Sequence, residues 1–256
     1  MVFDTETTDL SKCFCYNVGY HIVDEATGEV VKEREAVVEQ IWHNLELFST
    51  AYYADKRPLY VDKMRKHTAT MDKWGYITQE MIRDIKRYHI TDIYAYNSAF
   101  DDKVFEFNCD WFKTINPLET LAVHDIWGYA SEAITNTAEY KAFCEANNRF
   151  TDTGNYSGTA ETVYQFITND PSFVEQHMGL ADSRIEFAIL WHCVKNLGLK
   201  WATDYKVVKI LPRTIPHPYT ISVNGSVIHS GEYIKKYVRN DTYKFTEEFN
   251  EDETGA

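Results

Sequence analysis

No run in the 256-residue chain approaches the roughly 18 consecutive apolar residues of a membrane span, and the N-terminus has no basic segment leading into an apolar one. Neither a transmembrane helix nor a secretory signal is therefore expected. The five cysteines (Cys13, Cys15, Cys109, Cys144 and Cys193) form an odd set with no Cys-x-x-Cys pair, which argues against a disulfide framework or a zinc site. A reducing, cytoplasmic setting fits best. Positive charge is scarce too: 26 Lys and Arg stand against 39 Asp and Glu, a formal charge of −13. That balance argues against a protein that coats nucleic acid by bulk electrostatics, but not against an enzyme whose acids hold metals. Core material is abundant, at 44% hydrophobic and 15% aromatic. It suffices for one large domain or one domain plus a small appendage.

The most informative stretch is Val2-Phe3-Asp4-Thr5-Glu6-Thr7-Thr8-Asp9-Leu10. An apolar pair followed by Asp-x-Glu and threonines reads as a β-strand ending in a turn. On a strand, residues i and i+2 share a face, so Asp4 and Glu6 project together. Two such close carboxylates repel unless a cation sits between them, and hard ions such as Mg²⁺ or Mn²⁺ prefer oxygen ligands. The plain alternative is a strand end with its acids in solvent.

Tyr16 to Asp24 alternates apolar and polar residues, Ala26-Thr27-Gly28-Glu29 supplies a turn, and Val30 to Val38 returns, which predicts a three-stranded antiparallel start. Ile41 to Tyr53 is expected to be helical. From Lys56 to Ala95 there are nine Lys or Arg and five acids, a net of +4 that leaves −17 for the remainder. This arm is the best candidate for contacting a phosphate backbone, although solvated helix faces also produce such clusters. Thr78 to His89 has helical spacing at Met81, Ile82, Ile85 and Tyr88, and Ile93 to Tyr96 reads as a buried strand.

After that strand, Asn97-Ser98-Ala99-Phe100-Asp101 carries a helix-start signature, with Ser98 as cap and Asp101 in the first turn. Asp101 could simply complement the helix dipole. It could also be a third carboxylate lifted to the sheet rim beside Asp4 and Glu6, with Asn97 and Phe100 lining the cleft. Leu121 to His124 predicts a short strand, and helices are expected at Asp125 to Ala133, Glu139 to Asn147 and Thr162 to Ile167. A third stretch, Glu175-Gln176-His177-Met178-Gly179-Leu180-Ala181-Asp182, opens a long helix with a buried stripe of Leu180, Ile185, Ala188, Ile189 and Cys193. Asn196-Leu197-Gly198 stops it. His67 and Asp72 repeat the His-x4-Asp spacing, so spacing alone does not choose between the two pairs.

Order and context do. Phe3-Asp4-Thr5-Glu6, then Asn97 to Asp101, then His177-x4-Asp182 resemble the three motifs of the DEDDh exonucleases, the family of polymerase proofreading subunits and RNase T. The resemblance covers residues 1–198. Two positions bear on the likeness: Met178 stands where the tyrosine variant of the family has Tyr, and Tyr96 where many members have His. The resemblance implies an RNase H-like fold, a mixed five-stranded sheet flanked by helices. It implies two Mg²⁺ or Mn²⁺ held by Asp4, Glu6, Asp101 and Asp182, with His177 as general base. The implied reaction is 3′→5′ hydrolysis of single-stranded ends to nucleoside 5′-monophosphates, as in DNA repair or proofreading. DNA ranks above RNA because nothing identifies a reader of the 2′-hydroxyl. Thr7, Thr8, Leu10, Asn97 and Phe100 are the family-like candidates for gripping the terminal nucleotide. Other classes are a catalytically idle binding module of the same fold and, less well matched, a metal-dependent glycosyltransferase.

Beyond Gly198 the resemblance ends. Residues 199–245 hold Tyr219 to Val223 and Ser226 to Ser230 around Asn224-Gly225, a hairpin signal. Lys235, Lys236 and Arg239 add a basic patch, and residues 246–256 read as a disordered acidic tail. This extension could guide substrate, dock a polymerase or a replication or repair protein, or cover the core.

Overall fold

The computed structural model describes residues 1–11, 13–208, 210, 216–223 and 225–234. These divide into two units, one of residues 1–143 and 158–209, the other of residues 144–157 and 210–256. The first unit is an α/β layer built on a six-stranded mixed sheet in the order β4-β3-β2-β1-β5-β6. Strands β1 (Val2–Thr7), β2 (Cys15–Val23) and β3 (Val30–Val38) form an antiparallel meander. β4 (Thr70–Asp72) adds in parallel beyond β3, while β5 (Asp92–Ala95) and β6 (Ala122–Asp125) run parallel on the far side of β1. The helices are α1 (Glu39–Trp42), α2 (Leu45–Phe48), α3 (Arg57–Arg65), α4 (Trp74–Arg87), α5 (Ser98–Phe112), α6 (Ile126–Ala130), α7 (Ala138–Ala146), α8 (Ala160–Thr168) and α9 (Gly179–Trp191).

The expected meander and the two parallel strands are present, but the sheet has six strands rather than five. The extra one, β4, is a three-residue edge between α3 and α4, too short to carry a pattern. Arg34 on β3 fixes it by reaching Asp72 at 2.9 Å and Glu80 on α4 at 3.3 Å. That pairing also accounts for the decoy His-x4-Asp motif, since Asp72 is engaged by Arg34 and His67 sits in the turn after α3 with φ +57. The predicted helix over Ile41 to Tyr53 breaks into α1 and α2 because Asn44 caps the second piece, accepting from Leu47 N at 3.0 Å. α4 begins at Trp74, four residues ahead of the expected start, and Trp74 and Ile77 are both completely buried.

β2 departs from the half-buried strand its alternation predicts. Its apolar side (Tyr16, Val18, Tyr20) joins Phe3, Trp74 and Phe105 in the core, and its polar side is buried under α9. Asn17 Oδ1 accepts from Gly179 N at 2.8 Å, and His21 lies 3.2 Å from the Ser183 hydroxyl. The contact is close at Gly19, where a Cβ would sit 1.8 Å from Leu180 N and 2.0 Å from Gly179 C. Gly19→Ala is therefore expected to force the start of α9 off the sheet at about 3 kcal/mol, the upper range for overpacking. Urea unfolding with a lower midpoint and an unchanged slope would register it. A wild-type midpoint would mean that α9 does not depend on this seat.

In the second unit, Phe150 and Tyr156 form an isolated antiparallel bridge, and Tyr156 OH donates to Glu145 Oε1 at 2.7 Å. β7 (Pro216–Val223) and β8 (Ser226–Ile234) pair antiparallel as the expected hairpin, with Gly225 at φ +79 in the turn. Asn224, Lys235, Lys236, Arg239 and the tail at 246–256 lie outside the described residues. No helix among the described residues is long and apolar enough to cross a membrane.

Candidate metal centre

Three segments far apart in the chain meet at the end of β1. Among the described residues, Glu6, His177 and Asp182 form a group whose potential ligand atoms all lie within 4.8 Å of one another. Asp4 and Asp101 are outside this tightest group, yet both share its field. The charges that act on Asp4 are, in order, those of Glu186, Asp101, Glu6 and Asp182. Asp101 comes from the first turn of α5. It does not cap that helix; its Oδ1 accepts from Thr5 N at 3.1 Å and Thr5 Oγ1 at 2.6 Å, which locks it to β1. Asn97, not Ser98, is the cap residue, in left-handed geometry with φ 60 and no side-chain cap bond. Asp125 at the end of β6 replaces the expected serine cap, accepting from Asn97 N at 2.9 Å.

The carboxyls are held far from their ordinary ionisation. Burial, then neighbouring acids, push Asp4 and Glu6 well above the usual carboxylate range. Burial lifts Asp101 to about 7 against the opposing Thr5 bonds, and lifts Asp182 to about 7 against the Met178 N–H that its Oδ2 accepts at 2.9 Å. Glu175 rises to about 8 through burial and the charges of Asp182 and Glu161. With all acids ionised, Asp182 Oδ1 is a buried oxygen with no hydrogen-bond partner among the described residues. Burial accordingly raises both Glu6 and Asp182 toward the protonated form, and the charges of neighbouring acids add to the rise at Glu6. A divalent cation would compensate that Asp182 oxygen: the carboxylate oxygens of Glu6 and Asp182, with Asp4 and Asp101 close by, are the donors that Mg²⁺ and Mn²⁺ prefer, and the imidazole of His177 is not needed as a ligand. The residues present therefore fit such an ion.

His177 precedes α9 in left-handed geometry, φ 54. Its ring stacks on Tyr53 with centroids 4.0 Å apart and planes 9° apart, and its Nδ1 is 3.9 Å from Glu175 Oε2. Burial, followed by the charge of Lys56, lowers its pKa, so the imidazole is neutral at pH 7. Lys56 belongs to the basic arm read from the sequence. Others of that arm are paired within the fold, Lys63 with Glu35 at 2.6 Å and Lys66 with Asp62 at 2.7 Å.

The expected nucleotide-gripping residues are less uniform. Leu10 is 78% exposed, available to pack on a base, and Asn97 is exposed at the rim. Thr7 is half-buried, its hydroxyl donating to Asp9 O at 3.2 Å. Thr8 is buried and its N–H is already engaged by Phe14 O at 2.9 Å, so that group is not free to hold substrate. Phe100 is half-buried and packs against the core. Tyr53, Glu175 and Glu186 were absent from the expected set. Glu186 had a signal, since it follows Asp182 by one helical turn; Tyr53 had none, because its contact with His177 bridges 124 positions.

No protein-family model matches this chain, and a search of curated proteins returns no match. The geometry and the residues carry the functional reading.

Proposed function

We propose that this chain is a metal-dependent 3′→5′ exonuclease with an RNase H-like catalytic domain over residues 1–198. Its substrates would be single-stranded 3′ ends, DNA ahead of RNA, and its products nucleoside 5′-monophosphates. The observation that carries this reading is the meeting of Glu6 with His177 and Asp182, in the shared field of Asp4 and Asp101, from three separate segments. A surface cluster of acids would not bury its members or leave them so reluctant to ionise.

Asp4, Glu6, Asp101 and Asp182 would hold two Mg²⁺ or Mn²⁺. Such ions acidify a bound water and offset charge on the phosphate and on the departing oxygen. His177, neutral at pH 7, accepts the proton of the attacking water at a ring nitrogen. The water oxygen bonds to phosphorus as the bond to the 3′ oxygen of the preceding nucleotide breaks. That oxygen is protonated from solvent, and the last nucleotide leaves with its 5′ phosphate. Thr5 keeps Asp101 in place, and Lys56 beside the imidazole supplies positive charge for the strand's phosphates. Leu10 at the rim would pack on the terminal base.

The stack with Tyr53 fixes the plane of the imidazole. Tyr53→Ala is expected to lower kcat about tenfold or more with little change in KM, since small misplacements of a catalytic group are costly. Tyr53→Phe keeps the ring and should keep the rate. Equal losses in both variants would instead implicate the hydroxyl. The reading itself is tested by incubating 3′-labelled single strands of DNA and of RNA with Mn²⁺, alongside Asp4→Ala and His177→Ala. Release that both variants lose supports an exonuclease, and the better-cleaved strand names the sugar. Binding without release would point to an idle module.

A further inference from the structure

α9 carries one more buried acid than the four-carboxylate pattern uses. Glu186 lies four residues after Asp182, and residues at that spacing share a helix face. It is only 3% exposed, on a helix that packs against β1 and β2. Burial raises its carboxyl well above the usual range, and the Tyr96 backbone acts only to lower it. Its Oε2 is buried with no hydrogen-bond partner among the described residues. The charges that act most on Glu186 are those of Asp101, Glu175 and Asp182, all negative, and Glu186 is in turn the strongest charged neighbour of Asp4. An isolated ionised carboxylate in such a place is costly unless a cation or a donor meets it. Among the described residues Oε2 meets no donor, and the charges that act on it are those of metal-ligand candidates and their neighbour Glu175.

We infer that Glu186 is a fifth carboxylate of the metal-binding set, its free Oε2 serving the cation on the Asp4 and Asp101 side directly or through one water. This rests on the metal reading proposed above and extends it to a residue outside the three motifs. Loss of the ligand should weaken metal binding while relieving repulsion in the metal-free protein. A residue with a merely structural part would weaken both.

The test is calorimetric titration of the full chain with Mn²⁺, for wild type and Glu186→Gln, together with melting of both in chelator. Glu186→Gln is expected to bind Mn²⁺ about tenfold more weakly or to lose one of two ions. Its metal-free melting temperature should equal or exceed that of wild type. Equal Mn²⁺ affinity in the two proteins overturns the assignment of Glu186 and leaves the metal reading standing. Weaker binding with a lower metal-free melting temperature assigns Glu186 a structural part and also overturns it. A wild type that binds no Mn²⁺ ends the metal reading, and Glu186's part with it.

Discussion

His177→Ala is expected to lower kcat for release of 3′-terminal nucleotides by about 10²–10⁴-fold, the usual range for a positioned general base. The variant should still bind Mn²⁺ and single strands. Retained binding matters because His177 is close enough to Glu6 and Asp182 to be either a base or a ligand. A base leaves the metal set intact when it is removed; a ligand takes metal affinity with it. The lowered pKa of His177 suits the first role, since burial and Lys56 keep it free to accept a proton at neutral pH. Asp182→Asn provides the contrast, losing turnover and Mn²⁺ affinity together. Single-turnover release measured beside Mn²⁺ titration separates the two variants. A His177→Ala protein that hydrolyses at the wild-type rate would remove the imidazole from the chemistry.

The second large effect is on stability. In the metal-free protein, Asp101 and Asp182 titrate near 7 and Glu175 near 8, while Asp4, Glu6 and Glu186 are raised well above the carboxylate range. A group whose folded pKa is raised contributes stability that is complete below its unfolded pKa and is lost as pH climbs through the folded value. Lowering the pH from 8 to 6.5 should therefore stabilise the metal-free fold, by on the order of 1 kcal/mol for each group that takes up its proton in that window. The Met1 amine, lowered to about 6 by burial, acts in the opposite sense over the same window. Lowered imidazoles at His21, His177 and His192 oppose weakly near the bottom of the window, while Asp101, Asp182 and Glu175 all titrate within it. Below 6.5 these acids go on gaining until about pH 4, their unfolded range, and His21, driven to about 3 by burial, opposes them as the unfolded chain protonates its imidazole. The expected net gain between pH 8 and 6.5 is a rise in melting temperature of a few degrees. Mn²⁺ at about 100 times its dissociation constant should add about 2.7 kcal/mol and flatten that dependence, since metal and protons compete for the same oxygens. A melting temperature indifferent to both pH and Mn²⁺ would show that the acids do not repel one another in the fold.

Much of this architecture is legible along the chain wherever local pattern and tertiary environment agree. β1, β3, β5, α9 and the C-terminal hairpin all follow from periodicity and turn residues, and the three acidic stretches singled out in the sequence lie together, Glu6 with His177 and Asp182 and Asp101 on Thr5. The reading falters where one residue answers to a partner far away. The polar face of β2 looks solvent-directed until α9 settles on Asn17, Gly19 and His21. Ser98 looks like a helix cap until the carboxylate of Asp125 arrives from a neighbouring strand. β4 is visible only through Arg34, which holds Asp72. Tyr53 is an ordinary residue in sequence and gains meaning only by stacking on His177, whereas Glu186 is hinted at only by its place one helical turn after Asp182.

The convergence of distant acids on shared cations is tested most directly by anomalous diffraction from crystals soaked in Mn²⁺. Peaks enclosed by Asp4, Glu6, Asp101 and Asp182, with His177 turned toward the water beside them, are the expected result. A Mn²⁺ peak elsewhere on the protein, with none between those four carboxyls, would contradict it.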